Sequence, residues 1–353
     1  MLPTGTEQKS SHSHQEAPVS KRRTPKQKDV NTSPTASGAS GDSKQSAPGR
    51  AKPPGKIVAK KIPDVRYPII TEKKKEAHII QMPDKTKTTQ DKGRPVVPLP
   101  RPEIVSLSKK IEGDVVNAVE VHTRGQRENP SWFEWRQNRI TASTAHRISH
   151  SRFVNGKSPT PAASYLAAIT GEGPNVKTRA MSWGIEREAE AVRHYQSLKS
   201  KALGRPVQVQ ECGLFIDSQR PWLAASPDGI VQELDGKRLL CLEVKCPYKH
   251  RQNTVAQACK EDKTFCLEIQ GLGYCLKPKH SYYTQIQCQM AVTGLHQADL
   301  VVFTLQETAI VPVAYDPVFW ENTVAKLELF YKDGVLPYAR EKGLDIPAVK
   351  PEE

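Results

Sequence analysis

The chain has 353 residues, of which 52 are Lys or Arg and 38 are Asp or Glu, so its formal net charge at pH 7 is +14. No apolar run is long enough to cross a bilayer, and the polar first twenty residues lack the apolar segment of a secretory signal. The seven cysteines are odd in number and form no Cys-x-x-Cys pair, which favours reduced, core-filling thiols in an intracellular protein over disulfides or a zinc site.

The first hundred residues differ in composition from the rest of the chain. They contain 20 Lys and Arg against 9 Asp and Glu, together with 13 of the 28 prolines. Such a segment cannot bury enough apolar surface to offset the entropy of ordering it, so residues 1–100 are predicted to be a disordered basic arm. The arm either attracts nucleic acid through phosphate contacts or serves only as a solubilising tail.

A basic cluster in this arm is compatible with a nuclear localisation signal, although it is also explained as one more basic patch. It comprises Lys21, Arg22, Arg23, Lys26 and Lys28. We predict that residues 101–128 form a linker or a short helix, residues 129–340 one globular domain, and residues 341–353 a tail.

Within the globular domain, apolar periodicity and turn residues predict the secondary structure. Helices are expected at 132–148, 182–198, 281–293 and from Asp316-Pro317 to about 332. Strands are expected at 207–216, 230–234, 239–246, 298–304 and 310–314, with a further hairpin at 265–276. Because helices precede and follow the strands, we predict an α/β (α+β) fold with a central sheet flanked by helices.

The clearest chemical signal is a hairpin around Asp235-Gly236. A two-residue turn there places Asp228 opposite Glu243, and the period of two places Glu243 and Lys245 on one face of a strand that is apolar on both faces. Two hypotheses explain these buried charges. One is a structural ion pair, and the other is a divalent-metal site in which the carboxylates bind Mg²⁺ or Mn²⁺ and Lys245 orients or deprotonates an attacking water.

A third carboxylate is expected from the helix at 182–198. At 100° per residue its inward face comprises Met181, Ile185, Ala189, Val192 and Gln196. Glu188 falls beside this face, either as a rim residue or within reach of the same metal ion.

These residues carry a family resemblance. Ser226-Pro-Asp-Gly229 followed by Leu242-Glu-Val-Lys-Cys-Pro247 resembles the core motif of the PD-(D/E)xK nuclease superfamily, and the chain resembles in particular the YqaJ-type viral recombinases and the bacteriophage lambda exonuclease family. Further matching blocks, in family order, are Trp132 with Arg136, Ile140-Thr-Ala-Ser143, Trp183-Gly184 with Glu188, Tyr282, Gln285-Ile-Gln287 and Met290-Ala-Val-Thr293. The basic arm lies outside the resemblance.

The resemblance implies a restriction-endonuclease-like core with a central mixed sheet, and it implies roles for single residues. Asp228, Glu243, the Val244 carbonyl and Glu188 match the metal site. Lys245 matches the catalytic lysine, and Gln285 matches a polar residue of the motif helix that serves catalysis and DNA binding. The pocket for a terminal 5′-phosphate is matched by Arg136, Ser143 and Ser226, residue types that suit phosphate oxygens.

The expected function is therefore Mg²⁺-dependent hydrolysis of DNA, with Mn²⁺ as a substitute, acting 5′→3′ on duplex ends in recombination or repair. An endonuclease or structure-specific nuclease with the same site is one alternative, and a catalytically silent DNA-binding adaptor is another. The phage relative forms a ring, but no interface signature decides whether this chain is a homo-oligomer.

Other conspicuous side chains are interpreted more plainly. We expect His146, His194 and His250 to be structural or surface residues, while Lys249 and Arg251 either touch DNA or form a solvated face. The tryptophans are interpreted as core residues and not as stacking platforms, namely Trp132, Trp135, Trp183 and Trp222.

Overall fold

The computed structural model describes residues 107, 110–174 and 176–343, and the backbone of residues 70–73. Its strands, in chain order, are β1 Ile70–Lys73, β2 Ile140–Thr141, β3 Val207–Gln210, β4 Phe215–Ile216, β5 Leu223–Ala225, β6 Gly229–Glu233, β7 Arg238–Lys245, β8 Leu267–Gln270, β9 Gly273–Leu276, β10 Gln297–Phe303 and β11 Glu307–Ala314.

Its helices, in chain order, are α1 Gly113–His122, α2 Pro130–Arg136, α3 Ala142–Ser149, α4 Ala163–Thr170, α5 Arg179–Leu203, α6 Val255–Glu261, α7 Ser281–Thr293, α8 Pro317–Phe330 and α9 Leu336–Glu341. A π-helical turn, Tyr331–Val335, joins α8 to α9. Within these described residues, no helix is both long and apolar enough to span a membrane.

The largest sheet has the strand order β1-β11-β10-β7-β6-β3. Strands β7 and β10 are parallel, while the other neighbouring pairs are antiparallel. Two smaller sheets accompany it, β2-β5-β4 and the hairpin β8-β9. The predicted class, a central mixed sheet flanked by helices, is confirmed by this topology.

The two faces of the large sheet are covered by different helices. On one face, Ala191, Tyr195 and Leu198 of α5 pack against alternate strand residues such as Leu242 and Val301. On the other face, α6, α7 and the β8-β9 hairpin bury the intervening strand residues, among them Ile230, Cys241 and Leu300, and α7 contributes Ile286 and Met290 to this core. Strand β7, which carries the predicted site residues, therefore lies inside the sheet and is covered on both faces.

Several predicted elements need correction. The expected helix 132–148 is divided into α2 and α3, because Asn138 has a φ of 60° and cannot continue a right-handed helix. The expected strand 207–216 is divided into β3 and β4, which lie in different sheets. Helix α4 and strand β5 were not predicted. In contrast, α7 has the predicted bounds, and Asp316 caps α8 by accepting from the Phe319 N–H.

The predicted basic arm contributes one described element. Strand β1, which lies within the predicted arm, pairs antiparallel with β11 at the edge of the large sheet. The basic cluster between residues 21 and 28 and the predicted C-terminal tail beyond residue 343 lie outside the described residues.

The predicted inward face of α5 was wrong. Met181 and Ile185 are 50% and 44% exposed, and the buried residues of the helix are Ala191, Tyr195, Leu198 and Lys199. Lys199 and Tyr195 both bond to Oδ2 of the buried Asp299, at 2.6 and 2.7 Å. The first half of α5 thus extends past the part of the sheet that buries the second half.

Candidate active site

The hairpin formed by β6 and β7 establishes the geometry of the candidate site. Gly229 pairs with Leu242 and Ile230 with Cys241, so continuing the ladder by one residue places Asp228 opposite Glu243, as predicted. The turn itself is longer than predicted, since Glu233 accepts from Gly236 and donates to Lys237. A register shift between Val231 and Gln232 compensates for the longer turn and restores the predicted pairing at the site.

Asp228 is a carboxylate with few hydrogen-bond donors around it. Its Oδ2 accepts from the backbone N–H of Val244 at 2.6 Å, and its own N–H donates to the Leu242 carbonyl at 3.0 Å. Burial, together with the nearby carboxylates of Glu243 and Glu188, raises the pKa of Asp228 well above its usual range. The like charges around this group favour a cation at this position.

Glu243 is 1% exposed and is surrounded by donors. Its Oε1 accepts from Lys245 Nζ and, at 2.6 Å, from Gln285 Nε2, while its Oε2 accepts from Gln289 Nε2 at 2.6 Å. The Lys245 ammonium also lies 4.6 Å from the centre of the Tyr282 ring. Burial lowers the pKa of Lys245, but the carboxylates of Glu243 and Asp228 outweigh it and the net shift is upward.

Glu188, on α5, reaches the same region. The pKa of Glu188 is raised, chiefly by burial. The nearby charge of Arg127 lowers it, Glu243 raises it and Lys245 lowers it, but burial outweighs the two cations. The three carboxylates are therefore close enough to interact electrostatically. Within the described residues, however, no three carboxylate, thiol or imidazole groups are grouped closely enough to hold a metal ion as they stand.

The donor set nevertheless fits a hard divalent cation. Carboxylate oxygens are the ligands that Mg²⁺ and Mn²⁺ prefer, and a mutually repelling, partly buried set of acids is relieved by such a cation. Asp228 and Glu243, with Glu188 beside them, are the residues that would hold it. The Val244 carbonyl remains a predicted helper, because the contact seen at Val244 is through its N–H.

Two positioning features escaped sequence reasoning. Gln126 has a φ of 43°, and its Nε2 donates to the carbonyls of Pro227 at 2.8 Å and Cys212 at 3.1 Å, which fixes the backbone next to Asp228. A Cβ on Gly229 would lie 2.4 Å from Val209 Cγ1, so β3 and β6 approach each other closely only with glycine at this position. Backbone partners of this kind leave no spacing pattern in a sequence.

The predicted phosphate-binding residues are brought together in part. The Arg136 guanidinium lies 4.1 Å from the centre of the Trp132 ring, and Trp132 Nε1 donates to Ser226 Oγ at 2.9 Å. Burial and the neighbouring Arg127 lower the pKa of Arg136 to about 10, so it stays charged at neutral pH. Among the described residues it has no carboxylate partner. Ser143 is exposed and its hydroxyl pairs with that of Thr141 at 3.2 Å, so no observed contact joins it to Arg136.

The histidines interpreted as structural residues do make such contacts. His146 Nδ1 pairs with Thr284 Oγ1 at 2.9 Å, the ring of His194 packs edge-on against Phe303, and buried His250 pairs with Asp262 at 3.0 Å.

The two basic residues after β7 have intramolecular partners. Lys249 also pairs with Asp262, at 2.6 Å, and the Arg251 guanidinium stacks on Tyr248. Their contact with DNA remains a prediction.

One protein-family model matches the part of the chain that carries this candidate site. Residues 131–296 match the family model of the YqaJ-like viral recombinase domain. The matched segment includes Arg136, Glu188, Asp228, Lys245 and Gln285.

A curated protein and several solved structures are similar to the chain. The alkaline nuclease of Autographa californica nuclear polyhedrosis virus is 28% identical over 224 residues, which are 60% of this chain and 49% of that protein. The chain thus spans about half the length of the curated relative it matches.

Among solved structures, the alkaline exonuclease LHK-Exo of Laribacter hongkongensis is 21% identical with a TM-score of 0.42, covering 60% of this chain and 97% of that one. The shutoff and exonuclease protein of Kaposi's sarcoma-associated herpesvirus is 12% identical with a TM-score of 0.39, covering 65% and 73%.

Proposed function

We propose that this domain is a divalent-metal-dependent nuclease that hydrolyses DNA phosphodiesters. The observation that carries the proposal is the pairing of Asp228 opposite Glu243 at the end of the β6-β7 hairpin, with Lys245 bonded to Glu243. The 28% identity with a viral alkaline nuclease supports the same activity. A bound divalent cation would supply positive charge for the reacting phosphate.

The residues of the chain divide the remaining tasks. Asp228 and Glu243 supply oxygen ligands, and Glu188 completes the set from α5. Gln285 orients Glu243, because its amide donates directly to that carboxylate. Lys245 brings a cation to the same oxygen, and because its pKa is shifted upward it would act as an ammonium that orients the attacking water.

We further propose that cleavage begins at 5′ ends and proceeds 5′→3′, as in DNA recombination or repair. Arg136 supports this, because a partly buried guanidinium without a carboxylate partner favours a phosphate dianion. Trp132 connects it to Ser226, since the guanidinium lies over the Trp132 ring and Trp132 Nε1 donates to Ser226 Oγ. Ser143 is the third proposed member of this pocket. Holding a terminal phosphate there would align the first internal linkage with the carboxylates.

The basic arm is proposed to add sequence-independent affinity for DNA, because most of the net positive charge lies within residues 1–100. Its cluster of Lys and Arg between residues 21 and 28 supports nuclear import, so the protein is proposed to act in the nucleus.

The proposal is tested with end-labelled linear duplex and covalently closed circular duplex, each with Mg²⁺ and with chelator. The intact protein should degrade the linear form in Mg²⁺ only. Lys245→Ala should abolish cleavage, while Lys237→Ala, which removes an exposed lysine at the turn of the same hairpin, should not.

Equal cleavage of circular duplex would favour an endonuclease with the same site. Cleavage that persists in chelator or in Lys245→Ala would exclude the proposed mechanism. DNA binding without cleavage under every metal condition would favour a silent adaptor.

A further inference from the structure

A cavity of about 420 Å³ lies at the start of α5 and is not used by the site described above. Four of its lining residues come from the chain around the helix start: Lys177, Thr178, Arg179 and Ser182. Its volume falls within the range of roughly 300–1,000 Å³ that is typical of pockets for small organic groups.

Two aromatic rings form the walls of this cavity. Trp183 and Tyr248 lie 6.2 Å apart between ring centres, with their planes inclined at 66°. Trp183 is only half-buried, so it is not the core residue that the sequence suggested. Both rings are partly exposed, and a partly exposed aromatic ring suits contact with another flat ring.

Cations surround the two rings. The Arg187 guanidinium lies 4.7 Å from the centre of the Trp183 ring, and the Arg251 guanidinium lies 4.2 Å from that of Tyr248. Lys177 and Arg179 line the cavity without an ion-pair partner among the described residues. Glu186, the single acid in the lining, is exposed and is free to accept from base-edge donors.

Two buried donors in this region have no acceptor. Trp183 Nε1 and Arg187 Nε make no hydrogen bond within the described residues. Arg187 pairs through Nη1 with Glu190 at 3.0 Å, so the charge not paired within the described residues comes from Lys177 and Arg179. The two unsatisfied donors and these two cations favour a ligand with acceptors and negative charge.

The cavity shares both supporting elements with the candidate active site. Trp183 precedes Glu188 by five residues on α5, a rise of roughly 7.5 Å along the helix axis. Tyr248 follows Lys245 by three residues at the end of β7. A strand engaged at the carboxylates can therefore reach the cavity with a neighbouring nucleotide.

We infer that this cavity is a nucleotide subsite, in which one unpaired base stacks on the face of one of the two rings, Trp183 or Tyr248, and meets the other at an inclined, edge-on angle. Lys177 and Arg179 contact the flanking phosphates. The inference rests on the proposed nuclease function and adds a single-strand binding step to it. A paired base in a duplex has both faces covered by its neighbours, so only an unpaired nucleotide can enter. The subsite holds the strand by contacts that do not depend on sequence.

The test measures binding of a fluorescein-labelled oligothymidylate of eight nucleotides, with a 5′-hydroxyl, to the full chain in chelator. Trp183→Leu and Tyr248→Leu should each weaken binding at least about fivefold, as expected when a stacking ring is lost. Trp183→Phe, which keeps a ring, should retain most of the affinity.

A second variant changes only exposed charged side chains, so its result does not depend on whether the two aromatic rings still pack correctly. Lys177→Gln/Arg179→Gln should weaken binding and reduce its salt dependence. The matched control, Arg193→Gln/Lys201→Gln, removes the same charge from exposed positions on the same helix, roughly 20 Å or more from Arg179. The control should bind close to the level of the unmodified protein.

Because binding is measured without turnover, the two proposals fail separately. Unchanged affinity in Trp183→Leu and in Lys177→Gln/Arg179→Gln would overturn the subsite even if the protein cleaves DNA. Equal losses in the cavity and control double variants would also overturn it, since they would show only a general charge effect. Absence of cleavage with intact, ring-dependent binding would overturn the nuclease proposal instead.

Discussion

Gln289 donates its side-chain amide to Oε2 of Glu243 across 2.6 Å, and both residues are buried. Gln285, one helical turn earlier on α7, donates to the other oxygen of the same carboxylate. The helix thus holds Glu243 by both oxygens through residues four apart, which lie on one face. Gln285 was a predicted site residue, whereas Gln289 was not.

Replacing Gln289 by Leu should reduce the cleavage rate and destabilise the fold, because Oε2 of Glu243 loses the donor that Gln289 supplies. Loss of one hydrogen bond to a charged group costs about 1.5–3 kcal/mol. Initial rates and chemical denaturation measure the two effects. Gln287→Leu is the matched control: Gln287 bonds to Ala314 and Asp316, so its loss should lower stability but leave the metal dependence of the rate unchanged. Identical rate profiles for both variants would contradict a positioning role for Gln289.

Replacing Asp228 by Asn should leave the metal-free protein at least as stable to heat as the unmodified protein. The substitution removes one of several mutually repelling carboxylates, while an amide oxygen can still accept from Val244. Added Mg²⁺ or Mn²⁺ at one hundred times Kd should raise the free energy of unfolding of the unmodified protein by about 2.7 kcal/mol, and with it the melting temperature. Neither quantity should rise for Asp228→Asn. Asp235→Asn, at the exposed hairpin turn, should respond like the unmodified protein. Equal metal stabilisation of all three proteins would show that the ion binds elsewhere.

Replacing Arg136 by Ala should remove any preference for 5′-phosphorylated over 5′-hydroxyl duplex ends. The expected loss on phosphorylated ends is about 2–3 kcal/mol of transition-state binding, the value of a charged hydrogen bond. The ratio of initial rates on the two end types measures this effect. Arg147→Ala is a suitable control, because Arg147 is an exposed arginine that stacks on Tyr165. A preference that survives in Arg136→Ala would place the end-binding pocket elsewhere.

The stability of the domain should decrease as pH falls from about 7 towards 5, in part because of His146. Burial, together with the neighbouring His150 and His280, lowers the pKa of His146 below its usual value. The unfolded chain then binds the proton at a higher pH than the folded chain, so stability is retained above about pH 6.5 and lost below it. His146→Gln should flatten this part of the curve in chelator. A curve unchanged by His146→Gln would assign the effect to other groups.

The pairing of Asp228 with Glu243 was predictable because side chains alternate along a strand, so only the register had to be found. The predicted two-residue turn was wrong. The predicted pairing of Asp228 with Glu243 was nevertheless correct, because the register shift between Val231 and Gln232 offsets the longer turn. Helix α7 was predictable to its ends, since Gly294 ends the helix in a left-handed conformation, with a φ of 72°.

Other features depend on contacts that local sequence does not encode. The inward face of α5 was mispredicted because the sheet covers only the second half of the helix, which leaves Met181 and Ile185 exposed. Gln126 acts through the Pro227 carbonyl, 101 residues away. Trp183 was expected in the core because large aromatic residues usually lie there, and only the position of Tyr248 shows otherwise.

The parallel pairing of β7 with β10 has a consequence for fragments of this protein. The segment that matches the family ends at residue 296, and β10 begins at Gln297. A fragment that stops at the family boundary would lose the strand that pairs with residues 241–245 of β7 and with it β11. The unpaired backbone donors and acceptors of an apolar strand would then lie at an open sheet edge, which is a template for intermolecular strand addition. Such a fragment should self-associate, so the unit that folds and remains monodisperse extends at least through β11.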